Sequence, residues 1–87
     1  MPVVWVPGLM QDLTQGIDRV TVPGETVREV IDQLDSCFPG IKARLIDENR
    51  LRPSIAVIVD GEVSSQRMRH RLTEESEIHF LPAMSGG

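Results

Sequence analysis

Hydrophobic residues recur along this chain with two different periods, and the switches between them mark out the elements. Val3-Val4-Trp5-Val6 is a β-branched and aromatic run closed by Pro7-Gly8, which predicts a strand. Ile17 to Val22 alternates, with Val20 and Val22 on one side and Arg19 and Thr21 on the other, the pattern of a strand with one buried face. Together they predict a hairpin with a generous loop. After Pro23-Gly24 the period lengthens. Val27, Val30, Ile31, Leu34 and Phe38 share one stripe of a helix. Thr26 and Glu29 open that helix as a capping box, each satisfying the other's unpaired backbone donor, and Pro39-Gly40 closes it.

The second half reads similarly. Ile41 to Leu45 or Ile46 predicts a short helical turn, and Asp47-Glu48-Asn49-Arg50 a polar loop. Ser54-Ile55-Ala56-Val57-Ile58-Val59 is nearly continuous apolar sequence, as a central strand with both faces covered requires. Asp60-Gly61 turns the chain toward Glu62-Val63 as a hairpin. A charged, irregular stretch follows. Glu77 to Leu81 then alternates, Ile78 and Phe80 pointing one way and Glu77 and His79 the other. Pro82 cannot donate to a ladder, so pairing should stop near it and leave residues 83–87 as a flexible tail, with a reach of roughly 16 Å if extended.

The order of strand, strand, helix, strand, strand leaves one helix to cover one face of a sheet. Ile55, Val57 and Val59 share the side the helix takes, and Ala56 and Ile58 take the other. The same logic puts Leu81 outside, with one pair from Val4, Trp5 and Val6 beside it. Ala56, Ile58 and Leu81 are therefore expected on an exposed apolar face that docks a partner, unless loops fold back over it.

Composition narrows the picture. At 87 residues the chain is one small domain, and its 40% apolar and 25% charged residues are those of a folded one. Trp5, Phe38 and Phe80 are the only aromatics, so the core is aliphatic. A net charge of -4 gives no sequence-wide attraction to nucleic acid. The local cluster Arg67, Arg69, His70 and Arg71 reads as a solvated charged face rather than an anion patch, and no aromatic residue interleaves it. Cys37 is the single cysteine, which excludes an internal disulfide and suits a reducing compartment; it borders the helix stripe and is expected as a small buried hydrophobe. No leader and no run long enough to cross a bilayer is apparent, so the expected location is cytoplasmic, with no membrane partner. His70 and His79 lack metal-ligand spacing to Cys37 or each other and are expected to face solvent; no metal is expected.

The remaining candidate chemistry is Gly86-Gly87. Glycines offer no side chain, so the reactive group is the α-carboxylate of Gly87, carried on residues that thread a narrow channel. Phe38-Pro39-Gly40-Ile41 at the helix end, Arg52-Pro53 before the apolar strand, Val59-Asp60-Gly61-Glu62, and Leu81-Pro82-Ala83-Met84-Ser85-Gly86-Gly87 together resemble the MoaD/ThiS family of ubiquitin-like sulfur carriers over essentially the whole chain.

That resemblance implies an α+β, β-grasp (ubiquitin-like) fold over residues 1–82, a mixed sheet of four or five strands packed on one main helix. It implies no catalytic residues and no bound cofactor. A ubiquitin-activating-type adenylyltransferase would use ATP to adenylate Gly87, and a sulfurtransferase or similar donor would supply sulfur. The resulting thiocarboxylate would pass its sulfur to an acceptor biosynthetic enzyme. Gly86, Ser85 and Met84 would thread the partner's channel; Met84-Ser85 stands where many relatives carry a smaller apolar pair, which bears on which partner accepts the tail. The longer form, with its Phe38 to Ile41 corner and Leu51-Arg52-Pro53 segment, is closer to molybdopterin-synthase small subunits and cysteine-pathway carriers than to thiamine carriers. Two other functions fit the same residues: a modifier conjugated to lysines through Gly87, and an interaction module whose tail is inert.

Overall fold

The computed structural model describes residues 1–82; the expected tail, 83–87, lies outside the described residues. In chain order the elements are β1 (Val3–Trp5), β2 (Arg19–Thr21), α1 (Val27–Cys37), α2 (Ile41–Leu45), β3 (Ile46–Asp47), β4 (Arg50–Leu51), β5 (Ile55–Val59), β6 (Glu62–Val63) and β7 (Glu77–Pro82). Short 3-10 turns occupy Gly8–Met10 and Arg67–Arg69.

Five strands form one mixed sheet in the order β2-β1-β7-β5-β6. The expected hairpin of β1 and β2 is antiparallel, with Val4 opposite Val20. β7 enters between the two halves of the chain, parallel to β1 and antiparallel to β5. α1 packs across one face. Its stripe of Val27, Val30, Ile31 and Leu34 is buried against Val4, Val22, Val57, Val59, Ile78 and Phe80. This is the β-grasp arrangement, with strand alternation and helix period aimed at a common aliphatic core.

The capping box forms in altered shape. Thr26 Oγ1 accepts the Glu29 amide at 3.2 Å, but the Glu29 carboxylate accepts the Glu25 amide at 3.3 Å and the Thr26 hydroxyl at 3.4 Å instead of the Thr26 amide. Thr26 stands opposite Arg71 in an isolated antiparallel bridge whose hydrogen bonds, Val27 amide to His70 carbonyl at 3.1 Å and Leu72 amide to Glu25 carbonyl at 2.8 Å, fasten the helix start to the later loop. Just upstream, Gly24 lies against the first turn: a Cβ there would stand 2.8 Å from Val30 Cγ2 and 3.0 Å from the Val30 amide nitrogen. Gly24→Ala should destabilise the protein by about 1–3 kcal/mol through this overlap with a fully buried neighbour. Denaturant titration measures it; an unchanged midpoint would mean that Val30 yields freely.

Several expectations need correction. The second strand is only Arg19–Thr21, and Ile17, 46% exposed, sits in the preceding turn with its amide on the Thr14 carbonyl. The expected loop over 47–50 is a tight hairpin, in which Glu48 and Asn49 both take positive φ, 53° and 65°, and β3 pairs with β4. Asp60-Gly61 makes the corresponding turn as expected, with φ of 52° and 87°. Cys37 is exposed, not buried. The helix ends there, and Phe38, half-buried, packs on the core in its place.

Candidate functional site

The face of the sheet turned away from α1 carries the candidate residues. One row crosses all five strands, through the paired positions Arg19, Trp5, His79, Ile58 and Val63. Leu81 and Ala56 are paired in the next row toward the end of β7. Of β1, Val4 and Val6 are buried and Trp5 is the residue on this face, so the outward set is Trp5 with Val3, not a pair drawn from Val4 and Val6. Leu81 is 43% exposed, Val63 71%, and Ala56 and Ile58 are half-buried beside their strand neighbours. Arg19 and His79 share the row with Trp5 and Val63, so the face on which Ala56, Ile58 and Leu81 were expected is part apolar and part charged.

Trp5 is held rigidly. Its Nε1–H donates to Glu77 Oε1 at 3.0 Å, the His79 ring stacks on it at 5.5 Å with an interplanar angle of 5°, and the Arg19 guanidinium lies 5.7 Å from its ring centroid. His79 is therefore not a free solvent-facing side chain but half-buried in this stack. Sequence alternation could have put both residues on the outer face, since Val4 and Ile78 lie inside, but their stacking follows from the parallel pairing of β1 with β7, which alternation does not show.

The basic cluster is not the solvated face that its composition suggests. Arg67 adopts φ of 52° and turns its guanidinium inward, where Nη2 donates to the Arg52 carbonyl at 2.9 Å and the Ile55 carbonyl at 3.0 Å. Nearby, buried Ser64 Oγ accepts the amides of Gln66 and Arg67, so its single proton points to His70 Nδ1, 2.6 Å away. His70 is thus half-buried and structural, and Arg67 is a clamp that joins the irregular stretch to the entry of β5. Arg69 and Arg71 remain exposed. Among the described residues no group of His, Cys, Asp and Glu could hold a metal ion, and no helix is long and apolar enough to cross a membrane.

At the sheet end from which residue 83 continues, the Arg44 guanidinium pairs with Asp12 through two hydrogen bonds of 3.0 and 2.8 Å and donates to the Leu9 carbonyl, tying the 8–16 loop to α2. That guanidinium holds the Asp12 carboxyl below the usual carboxylate range, so the tie outlasts mild acid. The last ladder position is Ile55 opposite Pro82, where pairing was expected to stop. Met84, Ser85, Gly86 and Gly87 lie outside the described residues.

Comparison with known proteins agrees with this architecture. The ThiS family model matches residues 4–87. A chain from the crystal structure of the Amycolatopsis orientalis BexX/CysO complex is 34% identical, with a TM-score of 0.91 and complete coverage, 100%, of both chains. Mycobacterium tuberculosis CysO, described as an antigen, is 25% identical with a TM-score of 0.89, covering 97% of this chain and 100% of that one. SAMP1 from Haloferax volcanii, at 22% identity and a TM-score of 0.74 over 99% of this chain and 98% of its own, shares the fold. No curated protein sequence gave a match. The chain belongs to the ThiS family of ubiquitin-like sulfur carriers, small β-grasp proteins that are not enzymes themselves but supply sulfur to partner enzymes.

Proposed function

We propose that this protein carries sulfur as a thiocarboxylate on Gly87 and that it serves cysteine biosynthesis. The observation that carries the reading is the family match running through residue 87, together with full-length similarity to a chain of a BexX/CysO complex. At neutral pH a terminal carboxylate, with a pKa of roughly 3.5, is an anion and a poor electrophile. An activating adenylyltransferase would join it to the α-phosphate of ATP and release pyrophosphate. Hydrosulfide released by a donor would then attack the acyl carbon and expel AMP, its proton going to solvent and its sulfur standing in place of one oxygen. ATP belongs to the activating partner, and the carrier holds no cofactor of its own. A reducing, cytoplasmic setting suits the product and the single cysteine.

The folded body supplies the binding energy that delivers the tail. Ala56, Ile58 and Leu81, joined by Trp5 and Val63, are the proposed docking face, with rigid Trp5 as its anchor. Trp5 is the only tryptophan, so its emission reports docking directly. Ala56→Asp puts a charge on that face beside Leu81 and should weaken binding of the activating enzyme at least about tenfold, the scale of one uncompensated buried charge. Equal affinity of the variant and the parent would move the interface elsewhere.

Intact mass tests the chemistry. Incubation with ATP, an activating enzyme and a sulfide source should give a mass gain equal to exchange of one oxygen for sulfur. An unmodified chain under all such conditions would overturn the carrier reading for Gly87, and an amide between Gly87 and a protein lysine would point to a modifier. Sulfur delivered to a molybdopterin precursor, rather than to a cysteine precursor, would reassign the pathway.

A further inference from the structure

An open cleft of about 920 Å³ lies on the helix side of the sheet, between the first turn of α1, the β3–β4 hairpin and the 65–69 turn. Four of the nine basic residues of the chain line it, Arg28, Arg50, Arg67 and Arg69, against the two carboxylates of Asp47 and Glu48. It is a locally positive surface on a chain whose net charge is -4. We propose that this cleft receives an acidic, extended segment of a partner protein, whose carboxylates pair with Arg28, Arg50 and Arg69.

The positive charge is not neutralised within the chain. Among the described residues the ion pairs are Lys42 with Asp32 and Arg44 with Asp12, and neither belongs to the cleft. Asp47 and Arg50 stand opposite each other in the hairpin, yet no salt bridge joins them. Arg28 donates to a neutral partner, the Asn49 carbonyl, at 3.4 Å, while Arg50 and Arg69 are exposed. Guanidinium groups gathered in this way repel one another, and a carboxylate set among them is attracted by each.

The cleft is also built before a partner arrives. Leu51 and Met68, which line it, belong to the buried core beneath α1. Arg67 fixes the 65–69 turn to the entry of β5 through its bonds to the Arg52 and Ile55 carbonyls. Walls held by the core lose little freedom on binding.

The lining selects the kind of anion. Arginine pairs with carboxylate and phosphate alike. A nucleic acid strand would meet Asp47, Glu48 and the field of an acidic chain, and no aromatic residue among the described lining offers a base a surface to stack on. A peptide suits the mixture better, because Leu51, Pro53 and Met68 give its apolar side chains a surface in the same cleft. Arg28 sits on α1 and Met68 packs in the core under it, so the cleft is separate from the outer face of Ala56, Ile58 and Leu81. Both surfaces can be engaged at once, and binding in the cleft does not depend on the chemistry of Gly87.

The experiment titrates the full 15N-labelled chain with the peptide Glu-Asp-Leu-Glu-Asp-Leu, blocked at both ends, and follows the backbone amides. Expected are saturable shifts at residues 28, 47–51 and 65–69, an unmoved outer face, and binding that weakens as salt is raised. Arg50→Gln combined with Arg69→Gln changes two exposed side chains and should weaken binding about fivefold, the scale of two exposed arginine–carboxylate pairs. No shift at millimolar peptide overturns the proposal, as does equal affinity of the parent and the double variant, or of the neutral peptide Gln-Asn-Leu-Gln-Asn-Leu. Shifts centred on Trp5 and Leu81 would move the acidic ligand to the outer face and overturn it too. Tighter binding of a single-stranded oligonucleotide of equal charge would assign the cleft to nucleic acid, with the same consequence.

Discussion

Phe80→Ala should lower the free energy of unfolding by about 3–5 kcal/mol, the range for deleting a buried aromatic ring. Phe80 heads the fully buried side chains ordered by volume, is 2% exposed, and stands in β7 opposite Val57 at the middle of the sheet. The loss combines the transfer energy of the ring, about 1.5–3 kcal/mol, with the cavity left among Ile31, Leu34, Ile55 and Val57 of the same cluster. Neighbours cannot collapse far into it, because β7 is paired on both sides, to β1 and β5. For a domain of this size each kcal/mol moves the midpoint by roughly 4–8 °C, so the variant should melt tens of degrees lower. The adjacent Leu81→Ala, on the opposite and exposed face, should change stability by under about 1 kcal/mol. Comparable losses at the two positions would mean that the outer face is packed in solution and is not free for docking.

Much of this architecture could be read from the residues because the signals are periodic. Val20 and Val22, Ile55, Val57 and Val59, and Ile78 and Phe80 each announce a buried face by alternation, and the α1 stripe announces its own. Where the signal is not periodic the sequence was silent or misleading. β3 and β4 have two residues each, too few to show a period, and the turn between them places Glu48, not a residue that favours positive φ, in the left-handed region. The corner around Ser64, Arg67 and His70 depends on side-chain to backbone bonds that reach from Arg67 across 12 and 15 positions of chain to Ile55 and Arg52, and composition gave only its charge. Cys37 sits about 80° from the centre of the helix stripe at 3.6 residues per turn. Such an edge position is buried only if another element covers it, and at the last turn of α1 the chain spends Phe38 on that contact instead. The candidate site divides the same way: the outward placement of Leu81 follows from parity, whereas the groove beside it, lined by Leu9, Ala43, Ile55 and Leu81, arises from four segments distant in sequence.

Deleting Gly87 should abolish sulfur loading while leaving the fold unchanged, the largest functional effect expected of any single change. The ladder closes at Ile55 and Pro82 and the core lies wholly before residue 82, so no packing contact among the described residues is altered. The shortened chain still ends in a glycine carboxylate, that of Gly86, with the same charge and the same intrinsic reactivity. What changes is position: the acyl carbon is withdrawn by one residue, roughly 3.5 Å. An activating site that holds the docked body fixed and places the carboxylate against the α-phosphate of ATP tolerates far less, since a displacement of about 1 Å can cost a hundredfold in rate. Loading followed by intact mass should therefore fall at least about a hundredfold, with the thermal midpoint and the affinity for the activating enzyme preserved. Adding one residue after Gly87 should have the same effect by pushing the carboxylate too far. Efficient loading of either variant would show that the partner follows the tail rather than measuring its length from the docked sheet, and the body of the protein would then lose its proposed part in positioning the reaction.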